Sequence, residues 1–332
     1  MPKLCAVIVA VVISTYAFGS PYLDSSVART EDATVDNLHP VCEVPQEHFL
    51  TVDKLRIHYV ESGAGPTVVM VHGNAGGVED FSLGAFGLLC SKHRVLAIDR
   101  PGHGKSQRTG KHRFTLEYQA ELLHQTLSQL EVSQPILVGH SWGASLVLAY
   151  TLKYQTEVSA AVLLAPAAYA DKGSYRFLRL ATKAGFLGSA GLWFGNLLIG
   201  RHVMRQTLAD AFYPEPVPEN YFRMAASQWL ESKHLKAFLE DEWNLNASLK
   251  QLSKRYSEIH IPVVIVTGDH DKIVSAKENA YRLKAMIPQS QLVELTHAGH
   301  EIPQTHPESI ARALSLISTS ARSGVTAQRM DH

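Results

Sequence analysis

From Phe49 the chain alternates apolar and polar residues through FLTVDKLRIHYVES, the period of a hairpin at a sheet edge. PTVVMVHG then runs as a continuous β-branched stretch, the pattern of a strand buried on both faces. The rhythm repeats: HRVLAIDRPGHG reads as strand and loop, FTLEYQAELLHQTLSQL as an amphipathic helix, QPILVGHSWG as a strand ending in glycine, ASLVLAYTLKY as a helix and VSAAVLLAP as a strand. Strands alternating with helices across short connections predict a mostly parallel, doubly wound α/β sheet.

After Pro166 the rhythm breaks. SYRFLRLATKAGFLGSAGLWFGNLLIG and YFRMAASQWLESKHLKAFLEDEW carry helical spacing and many aromatics but no buried-strand run, which predicts an inserted helical cap. The α/β pattern resumes with IPVVIVTGDHD, KENAYRLKAMI, SQLVELTHAGH and PESIARALSLIS. The expected organisation is therefore a core at 45–166, a cap at 167–250, a second core segment at 251–320 and a frayed tail at 321–332, preceded by a mixed, polar arm at 20–44.

Residues 1–19 are a separate matter. Lys3 precedes the apolar run LCAVIVAVVI, and small residues follow at Ala17 and Gly19, the layout of a secretory signal. The run is short for a span of about 20 residues, so a cleaved signal and a secreted or periplasmic protein are expected, with an uncleaved N-terminal anchor as the alternative. Membrane contact is expected only through this segment. Signal removal would leave Cys42 and Cys90, which an oxidising compartment would permit to pair. The alternative is a Cys90 that is simply a small buried hydrophobe.

Composition narrows the partners. The 332 residues, 45% of them hydrophobic, suffice for a sizeable core, and Lys+Arg and Asp+Glu both number 31. This balance favours neither nucleic acid nor an anionic membrane, and points to a small-molecule substrate. No CxxC or Cys/His cluster suggests a metal site.

The chemistry starts at Gly139-His140-Ser141-Trp142-Gly143, a GxSxG between the strand PILV and the helix from Ala144, where a nucleophile elbow must sit. A serine hydroxyl needs a base within reach and an acid to orient that base. Candidates lie at the ends of the two late strands: Asp269 and Asp271 in TGDHDKIV, His297 and His300 in THAGHEIP.

Taken together, HGNAGG, DRPGHGKS, GHSWG, GDHDKIV and HAGHEIP resemble the α/β-hydrolase superfamily, in its capped esterase, haloperoxidase and C–C hydrolase-like branch, over residues 48–318. The resemblance implies Ser141 as nucleophile, His300 as base and Asp271 as acid, with Asp269 and His297 shaping loops. It also implies an oxyanion hole from the backbone N–H groups of Asn74 and Trp142, both side chains then being open to substitution. Asp99 and His103 become scaffold residues, and no metal or organic cofactor is required. The implied reaction is ester hydrolysis. In the cap, the density of Trp193, Phe194, Phe212, Tyr213, Phe222, Trp229 and Trp243 suits the lining of an apolar acyl pocket, with packing of the cap's own core as an equal alternative. The same triad also runs C–C bond hydrolysis and cofactor-free perhydrolysis, and a non-catalytic binder on this scaffold is a further alternative.

Overall fold

The computed structural model describes residues 45–82, 84–109, 114–171, 200–229 and 231–328. The signal-like segment, the arm and the first half of the expected cap lie outside them, as do Trp193 and Phe194.

Eight strands form one sheet in the order β1-β2-β4-β3-β5-β6-β7-β8. The hairpin β1 (Gln46–Val52) and β2 (Leu55–Ser62) is turned by Asp53 and Lys54, both at positive φ as a two-residue hairpin turn requires. It joins the sheet antiparallel to β4 (Arg94–Ile98). β3 (Thr67–Val71), β5 (Ile136–His140), β6 (Ala160–Leu164), β7 (Val263–Gly268) and β8 (Gln291–Leu295) complete a parallel set with β4. The central strands have no polar face because helices cover both sides: every residue of β6 and β7 is buried, whereas the edge strand β8 is only partly so.

Helix α1 (Glu79–Ser82) and α2 (Ala85–Leu89) follow β3, α3 (Leu116–Gln129) follows β4, and α4 (Trp142–Tyr154) follows β5. Two apolar cores result, one on each face of the sheet. One packs α3 and α4 through Leu123, Leu127, Val147 and Tyr150, and the other packs Phe81, Phe86 and the C-terminal helix residues Ile310 and Leu314. Between β6 and β7 lie α5 (Arg201–Phe212), α6 (Glu219–Trp229) and α7 (Ser232–Leu252), with their own small core around Met204, Leu208, Phe212 and Phe222. After β7 come α8 (Ala280–Met286), α9 (Ile302–Thr305) and α10 (Glu308–Gln328). Helix α10 continues past Ser320, where a frayed tail was expected. Ala321, Arg322, Ala327 and Gln328 are good helix formers and no proline interrupts them.

Cys90 is 5% exposed and disulfide-bonded, so it is more than a small hydrophobe. Cys5 and Cys42, the other cysteines of the chain, lie outside the described residues.

Candidate active site

The carboxyl end of β5 delivers Ser141 into a sharp turn with φ 52° and ψ −114°. Such a backbone is strained for any residue but glycine, and it lifts the side chain clear of the sheet. The flanking glycines make the turn possible. A Cβ on Gly139 would stand 2.5 Å from the Gly143 carbonyl oxygen, and one on Gly143 would stand 2.2 Å from that of Val71.

The loops after β7 and β8 bring the other two groups to this turn. Ser141 Oγ lies 2.9 Å from His300 Nε2, and His300 Nδ1 lies 2.8 Å from Asp271 Oδ2. The second Asp271 oxygen accepts the backbone N–H groups of Ile273 and Val274, both at 2.8 Å, so the carboxylate is held from two sides. Burial works to raise the Asp271 pKa, but His300 and these hydrogen bonds outweigh it and hold it below the ordinary 3.8. For His300 burial opposes the charged form, yet the facing Asp271 carboxylate, its hydrogen bond and Glu301 carry the imidazole above its usual 6.5. The structure therefore unites Ser141, His300 and Asp271. Asp269 instead accepts the Ala298 N–H at 3.2 Å and bonds His270 at 2.6 Å, shaping the loop, and His297 sits at a positive-φ turn.

His140 supports His300 from below. Its Nε2–H donates to the His300 carbonyl at 2.9 Å, and burial together with the nearby His300 pulls its pKa down to about 3, so it stays neutral.

Trp142 opens helix α4, where first-turn N–H groups have no intrahelical acceptor. Asn74 stands across from it in the loop after β3, and both line the cavity that holds Ser141 and His300. That loop is tied from behind. His72 Nδ1–H donates to the Gly73 carbonyl at 2.8 Å, and His72 Nε2 accepts the Arg100 N–H at 2.9 Å. Asp99 is a scaffold group: it bonds His58 at 2.7 Å and accepts the N–H groups of Val78 and Lys105, both at 2.8 Å.

Sequence reasoning passed over Arg100, Asp241 and Glu242. The signal was present in α7, where Ala237, Leu245 and Leu249 form a buried row and Asp241, 0% exposed, interrupts it with a charge. Asp241 meets Arg100 at 2.5 Å, Arg108 at 2.8 Å and His103 at 3.0 Å. Burial works to raise its pKa, and the two arginines and His103 outweigh this, leaving it well below 3.8. Its neighbour Glu242 accepts from Asn74 Nδ2 at 2.7 Å, and burial raises Glu242 to a pKa of about 7. The Asn74 side chain is thus engaged at both ends, which qualifies the expectation that it is open to substitution.

The cavity over Ser141 measures about 1130 Å³. Trp229 and Trp243 line it, but Phe212 and Phe222 are buried in the small core of α5 and α6, and Tyr213 is 41% exposed on the surface. Packing of the cap's own core therefore accounts for Phe212 and Phe222, and Asn74, Asp80, Glu242, Asn246 and Glu301 share the described wall with the two tryptophans. Among the described residues no cluster of His, Cys, Asp and Glu has the makings of a metal site.

The fold and this site define a hydrolase of the α/β class. The chain belongs to the alpha/beta hydrolase fold family, whose model matches residues 66–307. It is 27% identical to the uncharacterized hydrolase YugF of Bacillus subtilis over 80% of this chain and 95% of that protein. It is 28% identical to a 2-hydroxy-6-oxononadienedioate/2-hydroxy-6-oxononatrienedioate hydrolase of Klebsiella pneumoniae over 81% of this chain and 94% of that one. Among solved structures it resembles a bromoperoxidase from Bacillus anthracis, with a TM-score of 0.67, 21% identity, and coverage of 82% of this chain and 100% of that one.

Two outcomes follow from this geometry. An imidazole of raised pKa must lose its proton before His300 Nε2 can accept one from Ser141, so kcat/KM for a hydrolysed substrate should rise with pH through a midpoint above 6.5 and then level off. Asp271→Asn should lower kcat by about 10⁴-fold and move that limb to lower pH; a wild-type midpoint below 6.5 in a pH–rate profile contradicts the assignment. Gly143→Ala should force the end of β3 away from the new Cβ, lowering stability by about 1–3 kcal/mol in urea unfolding and kcat with it. Gly87→Ala meets nothing within 4 Å and should leave both unharmed.

Proposed function

We propose that the protein is a serine hydrolase that cleaves carboxylic esters through an acyl-enzyme, with Ser141 as nucleophile, His300 as general base and Asp271 as the orienting acid. The observation that carries this reading is the continuous hydrogen-bonded chain from hydroxyl to imidazole to carboxylate, at 2.9 and 2.8 Å, beside an open cavity.

His300 Nε2 takes the Ser141 proton as Oγ adds to the ester carbonyl. The N–H groups of Asn74 and Trp142 hold the negative oxygen of the tetrahedral intermediate. The imidazolium returns its proton to the departing alkoxide, leaving acyl-Ser141. Water, deprotonated by the same nitrogen, then releases the acid and restores the serine. Asp271 keeps Nδ1–H facing itself throughout and steadies the charged ring, so Nε2 is always the nitrogen that faces the serine. No step calls for a metal or organic cofactor.

C–C bond hydrolysis and perhydrolysis run on the same groups, and the relatives named for such reactions make these the rival readings. The described cavity lining presents no positive surface to a dicarboxylate substrate: Lys250 and Arg282 stand against Asp171, Asp210 and Glu278, while burial pushes Asp80, Glu242 and Glu301 toward the neutral form. A neutral ester of small to medium size needs no such surface. A non-catalytic binder would have no use for a base held at 2.9 Å from a strained serine.

Export of the protein is part of the same proposal. It rests on Lys3 and the apolar run behind it, with membrane contact only through that segment, and the disulfide at Cys90 supports an oxidising compartment.

A fluorophosphonate probe should label the folded protein, and labelling should vanish in Ser141→Ala and in His300→Ala. Ser141→Ala should also lose p-nitrophenyl ester turnover by about six orders of magnitude without unfolding. Near-wild-type turnover in that variant refutes the reading, and a diketone assay and a peroxide-dependent bromination assay run in parallel assign the chemistry if esters fail.

A further inference from the structure

Both proposed oxyanion donors rest against one side chain. Arg100 follows β4 and is 2% exposed. Its Nη2 donates to the Gly73 carbonyl at 3.0 Å and to Asn74 Oδ1 at 3.2 Å, and its guanidinium lies 3.9 Å from the centre of the Trp142 ring. The other arm of the fork, Nη1, ends on Asp241 of α7 at 2.5 Å. Asp241 is held in turn by Arg108 Nη1 at 2.8 Å and by Gln119 Nε2 at 3.1 Å. The next residue along α7, Glu242, takes the remaining end of the Asn74 side chain at 2.7 Å.

We infer that Arg100 is a positioning residue of the oxyanion hole, and that α7 sets the aim of the hole through it. The inference rests on the reading of Asn74 and Trp142 as the donors. A peptide N–H points where its peptide plane points. The plane between Gly73 and Asn74 carries both the carbonyl that Arg100 grips and the amide that would meet the oxyanion, so fixing one fixes the other. The flat guanidinium is well shaped for this role, because it bonds in its own plane to Asp241, Gly73 and Asn74 while its face covers the indole. Lysine in its place would keep a charge beside Asp241 but not this fork. The structure thus ties α7, whose residues line the roof of the substrate cavity, to the atoms that would stabilise the developing charge.

The test compares a trifluoromethyl ketone, whose serine hemiketal places an anionic oxygen in the hole, with the matched methyl ketone, which binds without it. Wild type should prefer the trifluoromethyl ketone strongly. Arg100→Lys should lower kcat by about ten- to a hundredfold, less than loss of a whole donor, and reduce that preference in the same proportion. KM and methyl ketone affinity should stay within about threefold of wild type, since binding of the ground state makes no use of the hole. Asn74→Ala leaves the Arg100 to Asp241 pair in place and should show the same selective loss, which keeps the inference testable if Arg100→Lys does not fold. Glu61→Gln, which opens the Arg94 to Glu61 pair on the sheet, should change none of these values. Full kcat and full preference in Asn74→Ala or in folded Arg100→Lys overturn the inference, as does an equal loss of affinity for both ketones. A wild type that does not distinguish the ketones overturns the oxyanion-hole reading itself, a result separable from the former because it appears before any substitution.

Discussion

The candidate site depends on a single strained residue. Ser141 stands at φ 52° because β5 must turn at once into α4, and the turn closes only where neighbouring backbones pass with no Cβ between them. Hydrogen bonds on both sides keep the strain from relaxing: the Ser141 N–H reaches the Leu164 carbonyl at 2.9 Å, and the Ser141 carbonyl takes the Ala144 N–H at 3.1 Å. The parallel register then places the loops after β7 and β8 on the same edge of the sheet as this turn. His300 and Asp271 meet Ser141 there for topological reasons, since every strand that supplies a group presents its carboxyl end to one side.

Burial of that meeting place decides its electrostatics. With little water near His300, the charged ring is costly except beside Asp271, whose own carboxylate survives burial because two N–H groups and the imidazole satisfy it. His140 is packed against His300 with ring centres 4.9 Å apart and remains neutral, so it brings a hydrogen bond and no competing charge. A second positive ring there would depress the His300 pKa.

Much of this was legible in the chain. The strands from Thr67 to Gly268 announced themselves as continuous apolar runs, and the elbow and the two late loops each followed a strand. Asp271 was separable from Asp269, and His300 from His297, only through resemblance to a family, because spacing alone offers both of each pair. The lining of the cavity was not legible. Phe212 and Phe222 share the helical spacing of the residues that line the cavity, and which side of α5 and α6 turns inward is settled by packing among the helices rather than by any residue alone. Asp241 was overlooked for the opposite reason: adjacent acids in EDEW look like a solvated face, and only the buried row running through Ala237, Leu245 and Leu249 gives the charge away.

That buried charge has a bearing on how the two parts of the protein are joined. A seam of leucines would hold α7 on the sheet at least as firmly as an ion pair cut off from water, which must first offset the loss of its hydration. What leucines lack is direction. Asp241 places Arg100, and Arg100 takes up the Gly73 carbonyl, at distances that leave little freedom to a loop otherwise made of glycine and alanine around Asn74. A loop with that composition gains its accuracy from outside itself. The charged seam therefore makes sense as a device for orienting a backbone amide, and the helices over the cavity are a part of the site as well as its roof.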